Sequence, residues 1–145
     1  MHKQLELSEG LLFAAGSGDH KKVEELLDAG ADIHFFDELS KSALHYAVEG
    51  AHRQLVHFLL EKGANVNAHL RDNAGDTPIT IAAYEGHYAV CKLLLKAGAD
   101  PYITAWMGKD ALDYAVRRKD ANGEKIRELI VEMYPPSKDR KYRYK

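Results

Sequence analysis

Cysteine is all but missing from this 145-residue chain. The single Cys91 excludes an intramolecular disulfide and cannot build a thiolate zinc site. Long apolar runs are missing too. Although 46% of the residues are hydrophobic, they come in short clusters, none near the ~18 consecutive residues that would cross a bilayer. The opening MHKQLELSEG holds no apolar h-region of the kind that marks a secretory signal. No serine sits in a nucleophile-elbow pattern, and no glycine-rich phosphate loop follows a strand-like stretch. These absences lead us to expect a cytoplasmic, non-catalytic protein without membrane attachment.

Charge is small in sum and uneven in place. The formal net charge is −2, but the last eight residues, KDRKYRYK, contribute +4 and leave −6 on residues 1–137. The body is mildly acidic and the tail basic.

What is present is a period. The segments LLDAGADI, LLEKGANV and LLKAGADP place Gly30, Gly63 and Gly98 at spacings of 33 and 35. Upstream, Ala14, Ala47, Ala82 and Ala115 align as the centres of four short helices, so the chain divides into units of about 7–36, 37–71, 72–104 and 105–134, with an extension at 1–6 and a tail at 135–145. Each unit reads as two helices joined by a tight turn. Ser8 or Glu9 is expected to begin the first helix, and Asp19 to cap the second, since a short carboxylate accepts from free first-turn amides. Thr77 caps the first helix of unit three with Pro78 at its first position, and Ser42 and Asp110 hold the same place in units two and four. Val90, Leu93 and Leu94 form an apolar stripe matched by Leu55, Phe58 and Leu59 and by Ile126, Leu129 and Ile130. No such unit buries its apolar face alone, so the units must stack.

These segments, with TPITIAA at 77–83, SALHYAV at 42–48 and DALDYAV at 110–116, resemble the ankyrin repeat family over residues 7–134. The signature histidine is present only as His45, with Leu12, Thr80 and Asp113 in its place elsewhere, and unit four carries an insertion around Asp120 to Gly123. The resemblance implies an all-α solenoid of four units with β-hairpin fingers, and a concave groove that binds a protein partner without a cofactor. It also implies that Asn67 occupies the finger position that asparaginyl hydroxylases modify in the family.

Framework positions are filled by Ala, Leu, Gly and caps, so recognition should lie at the irregular positions of the fingers and inner-helix ends. Taken unit by unit, these are Phe36, Glu38, Leu39, Lys41 and Glu49; then Arg71, Asn73, Ala74, Asp76, Tyr84 and Glu85; then Thr104, Trp106, Met107, Lys109, Arg117 and Arg118. Phe36, Tyr84 and Trp106 are expected to face solvent, where rigid rings make strong binding anchors. Extra residues near His69 and Leu70 lengthen one finger. Acids dominate the first segment and bases the third, a gradient able to orient a partner.

The histidines suggest no metal site. His87 and Cys91 have a ligand-compatible spacing, yet His87 aligns with His52 and Cys91 with Val56 on the buried side of its helix. His20, His34, His57 and His69 form no recurring set. We therefore expect a monomeric module that binds a protein partner as an adaptor, inhibitor or immunity-type protein. The alternative is a nucleic-acid-associated binder working through the tail, with Tyr142 and Tyr144 stacking on bases, and through Arg117 and Arg118.

Overall fold

Eight α-helices alternate between two layers in the structure, a computed structural model that describes residues 2–70 and 75–137. The inner layer is α1 (His2–Ser17), α3 (Ala43–Glu49), α5 (Pro78–Glu85) and α7 (Ala111–Arg117); the outer is α2 (His20–Asp28), α4 (Arg53–Glu61), α6 (Tyr88–Lys96) and α8 (Ala121–Met133). Inner helices pack in series, α1 on α3 on α5 on α7, and α4, α6 and α8 stack behind them. The aligned alanines Ala14, Ala47, Ala82 and Ala115 are all buried, because a methyl group is what lets adjacent inner helices approach closely. Each outer helix sends its stripe inward: Leu55 and Leu59, Val90 and Leu94, and Ile126 and Ile130 are fully buried, with Phe58 and Leu93 at the margin.

The closing glycines have one geometry repeated three times. At Gly30, Gly63 and Gly98, φ is +107°, +98° and +97°. The amide of the following alanine bonds back to the first leucine of the pair (Ala31 to Leu26, Ala64 to Leu59, Ala99 to Leu94, 2.9–3.0 Å), and the glycine amide to the second, at 3.1 Å each time. These paired bonds satisfy the carbonyls that a helix end leaves free. They explain why LLxxGA recurs as a block.

The caps also follow expectation. Thr77 Oγ1 accepts from the Thr80 amide, Asp19 from Lys22, and Asp110 from Asp113 at 2.8 Å, with the Asp113 carboxylate accepting the Asp110 amide in return.

Three details differ from expectation. The first helix starts at His2 instead of Ser8 or Glu9, since residues 2–7 contain no breaker and simply extend it. The insertion in unit four is no loop: it lengthens α8 to 13 residues against 9 in α4 and α6, roughly one more turn. No strand occurs among the described residues; the finger at 37–41 is a tight turn closed by the Asp37 amide on the Lys41 carbonyl (3.0 Å), too short a pairing to make a ladder.

Candidate functional site

The register that buries the aligned alanines turns the preceding residue of each inner helix the other way. Phe13, Tyr46, Ile81 and Tyr114 hold that place in α1, α3, α5 and α7; Phe13 is exposed and the two tyrosines half-buried, while Ile81 is covered. Phe13 is 80% exposed. Sequence reasoning missed Phe13 and Tyr114, although their place one residue before the aligned alanine was a usable signal.

The finger before α3 is held by Asp37. One carboxylate oxygen accepts the amides of Leu39 (2.9 Å) and Lys41 (3.1 Å), and the other accepts the Tyr46 hydroxyl. Ser40 takes a positive φ of 59° to complete the turn. Leu39 is thereby presented at the tip, 70% exposed, beside an exposed Glu38. Phe36, expected to face solvent, is half-buried with its edge against the His45 ring at 5.8 Å, so part of its surface serves the framework. Lys41 reaches across to α3, where its Nζ lies 2.8 Å from Glu49 Oε2 and 5.5 Å from the centre of the Tyr46 ring.

Five of the expected residues converge. Lys41, Glu49, Asp76, Tyr84 and Glu85, together with Tyr114, line a cavity of about 260 Å³ where α3, α5 and α7 meet the fingers. Tyr84 is 61% exposed and stands nearly perpendicular to Tyr114, ring centres 5.6 Å apart. Burial raises the Asp76 carboxyl above its ordinary range, against a weaker opposing pull from the Thr80 hydroxyl and Lys41. A second, more apolar cavity of about 470 Å³ lies between α1 and α3, against Leu12, Phe13 and Tyr46, with Glu9 and Asp37 at its rim.

The third segment is dispersed. Met107 is 71% exposed in a short 3-10 turn, Trp106–Gly108, at φ 62°. Lys109 is half-buried, Thr104 and Arg117 are exposed, and the side chain of Trp106 lies outside the description. Arg71, Asn73, Ala74 and the tail at 138–145 also lie outside the described residues; Leu70, just before them, accepts the Gly75 amide at 3.2 Å. Arg118 is turned to structural use. Its Nη1 donates to the Tyr84 carbonyl at 2.7 Å, and its other nitrogens hold Asp120, which caps α8 through the Gly123 amide. The guanidinium covers Gly86, where φ is +77° and a Cβ would meet Arg118 at 2.6 Å. The basic end of the charge gradient therefore rests on Lys109 and Arg117.

The histidines work as cross-braces. His87 Nε2 donates to the Glu49 carbonyl at 3.0 Å and His52 Nε2 to the Gly16 carbonyl at 3.1 Å, each closing the inner helix of the preceding unit. His45 is fully buried. Its Nδ1 accepts the Ser42 amide at 3.1 Å, and because a carbonyl can only accept, its Nε2 carries the proton and donates to Asp76 at 2.6 Å. Burial lowers its pKa to about 4. Cys91 is buried with its thiol pushed up to about 12, and no group able to hold a metal ion occurs among the described residues. Asn67 is half-buried and its side-chain oxygen accepts the Asp100 amide at 2.8 Å, tying one finger to the next.

A stack of two-helix units with an open aromatic and acidic groove defines a repeat solenoid built for binding. A family model of three copies of the ankyrin repeat matches residues 11–105, and the chain belongs to the ankyrin repeat family. Ankyrin repeats are non-catalytic protein–protein interaction modules. Among its relatives, the ankyrin repeat and KH domain-containing protein mask-1 of Caenorhabditis elegans is 38% identical over 100 residues, covering 69% of this chain and 4% of that protein. The E3 ubiquitin-protein ligase KEG of Arabidopsis thaliana is 34% identical over 110 residues, 75% of this chain and 7% of the ligase. The probable E3 ubiquitin-protein ligase XBOS32 of Oryza sativa subsp. japonica is 30% identical over 132 residues, 89% of this chain and 26% of the ligase. The chain thus spans a small part of each.

Proposed function

We propose that the protein is a non-enzymatic adaptor or inhibitor that captures a protein partner in the groove across α1, α3, α5 and α7. The observation that carries this reading is the exposed Tyr84, braced on Tyr114 over a cavity that is also lined by Asp76, Glu85 and the Lys41–Glu49 pair. Rigid aromatic rings held half out of water bury much area at small entropy cost when a partner arrives, which is how hot spots form. The protein would act as a monomer, and the lone, buried cysteine favours a reducing compartment such as the cytoplasm. The nucleic-acid alternative is weakened by the commitment of Arg118 to Tyr84 and Asp120.

Affinity capture with the wild type and with a Phe13→Ala/Tyr84→Ala double variant tests the reading. A partner held by the wild type and lost by the variant supports it; equal recovery of every bound protein sinks it.

A further inference from the structure

Resting on the groove reading, we infer that the occupant is a linear, net-positive peptide segment of the partner. Its lysine or arginine enters the cavity beside Tyr84 and Tyr114, and an apolar side chain about four residues away sits against Phe13 and Tyr46.

Size comes first. At about 260 Å³ the Tyr84 cavity is smaller than the range in which small-molecule sites usually fall, and it suits one long side chain. Charge comes next. Among the described residues Lys41 is the one cation lining it and is already bound to Glu49, whereas neither Asp76 nor Glu85 forms an ion pair. Burial disfavours the Asp76 carboxylate more than the Thr80 hydroxyl and Lys41 favour it, and an incoming ammonium or guanidinium relieves the difference. The Tyr84 and Tyr114 rings line the same space, and aromatic rings attract cations. An acidic segment would meet Glu49, Asp76 and Glu85 with only a committed lysine to answer them.

The second anchor follows from the neighbouring cavity. Phe13 is 80% exposed over a pocket lined mostly by carbon, whose rim again carries acids, Glu9 and Asp37. Packed helices lie about 8–10 Å apart, so cavities separated by roughly one and a half helix spacings are about 12–15 Å apart. Extended chain covers that distance in about four residues. Arg117, exposed on α7, marks the end of the acidic path.

Panning random dodecapeptides on the immobilised full chain at low salt, then measuring fluorescence anisotropy of the recovered peptides, tests the inference. The expected peptides carry Lys or Arg about four positions from Leu, Ile or Phe. Replacing the basic residue by norleucine, or using Asp76→Asn or Tyr84→Ala protein, should each weaken binding about tenfold, and added salt should weaken it further. Unchanged melting curves show that the variants fold. Peptides with no basic enrichment that still lose binding in Phe13→Ala and Tyr84→Ala leave the groove standing and overturn the peptide chemistry. Peptides indifferent to both variants overturn the groove itself. Acidic peptides, or none, overturn the inference. Deleting residues 138–145 should leave affinity unchanged; a gain would identify the chain's own basic tail as the occupant and overturn the assignment to a partner.

Discussion

The joints on either side of α5 meet the same demand with different chemistry. Between α3 and α5 the cross-links are imidazoles: His87 closes the end of α3 at Glu49, and buried His45 ties the Ser42 cap to the Asp76 carbonyl in the next finger. Between α5 and α7 the position of His45 is taken by Thr80, whose hydroxyl stays within its own turn, 2.8 Å from the Thr77 carbonyl. The carbonyl end of α5 at Tyr84 is met by Arg118, steadied by Asp120. A repeat position is therefore a geometric slot, and its chemistry follows its distance from solvent. Inside the array, a ring that can be neutral avoids the cost of a buried charge. At the end, where Arg118 keeps contact with water, a permanent cation is tolerable. Even the slots for the second-helix caps follow this logic: Asp19 and Asp120 cap their own helices in the terminal units, while His52 and His87 reach back to a preceding unit.

Removing the central brace should have the largest effect. His45→Ala leaves the Asp76 carbonyl and Ser42 amide without their partner and opens a cavity, costing about 3–4 kcal/mol in urea unfolding. Lowering the pH should cost nearly as much in the intact protein. The unfolded histidine protonates near 6.5, but burial, partly offset by its bond to Asp76, holds the folded one near 4. The unfolded chain thus binds more protons between these values. Stability is full above about pH 6.5, falls as pH drops, and levels off below about 4, a loss of about 3 kcal/mol from this residue. In His45→Thr, which copies the residue of the neighbouring unit, that part of the slope should vanish.

Smaller effects separate the braces from one another. His87→Ala and Arg118→Ala should each cost about 1 kcal/mol, since each removes one hydrogen bond to the end of an inner helix and the further contacts of Arg118 to Asp120 are exposed. Added salt should shrink the effect of the arginine and leave that of the histidine unchanged, because only the former is an ion contact. The smallest change is expected at the groove. Tyr84→Ala should alter stability by no more than about 0.5 kcal/mol, measured by the same unfolding, since its ring is mostly exposed. A large loss there would make Tyr84 a framework residue and undo its assignment to recognition.

Much of the framework was legible because it rests on short-range rules. LLxxGA, Thr77–Pro78 and the capping residues act within a few positions of one another, so their spacing carries their meaning. The groove was half legible. Lys41, Glu49, Asp76, Tyr84 and Glu85 could be named from their irregularity, but their convergence with Tyr114 joins residues more than seventy positions apart. Phe13 was overlooked because a phenylalanine in an apolar helix reads as core until its face is known. Arg118 was read as free because the Tyr84 carbonyl that holds it lies 34 residues away. The two extra residues near Leu70 and the extra turn in α8 show the same limit: length can be counted in a sequence, while its use as loop or helix depends on what it packs against.

By itself the sequence determined the repeat, the helix pairs, their caps and closures, and hence an array that must stack, because hydrogen bonds and apolar stripes at short spacing leave little choice. Tertiary structure alone decided which side chains share a cavity, which cations are already spent, and that Phe13 and Tyr84 open to solvent. Those outcomes depend on the angle and separation at which one unit meets the next, and that geometry is set jointly by residues distant along the chain.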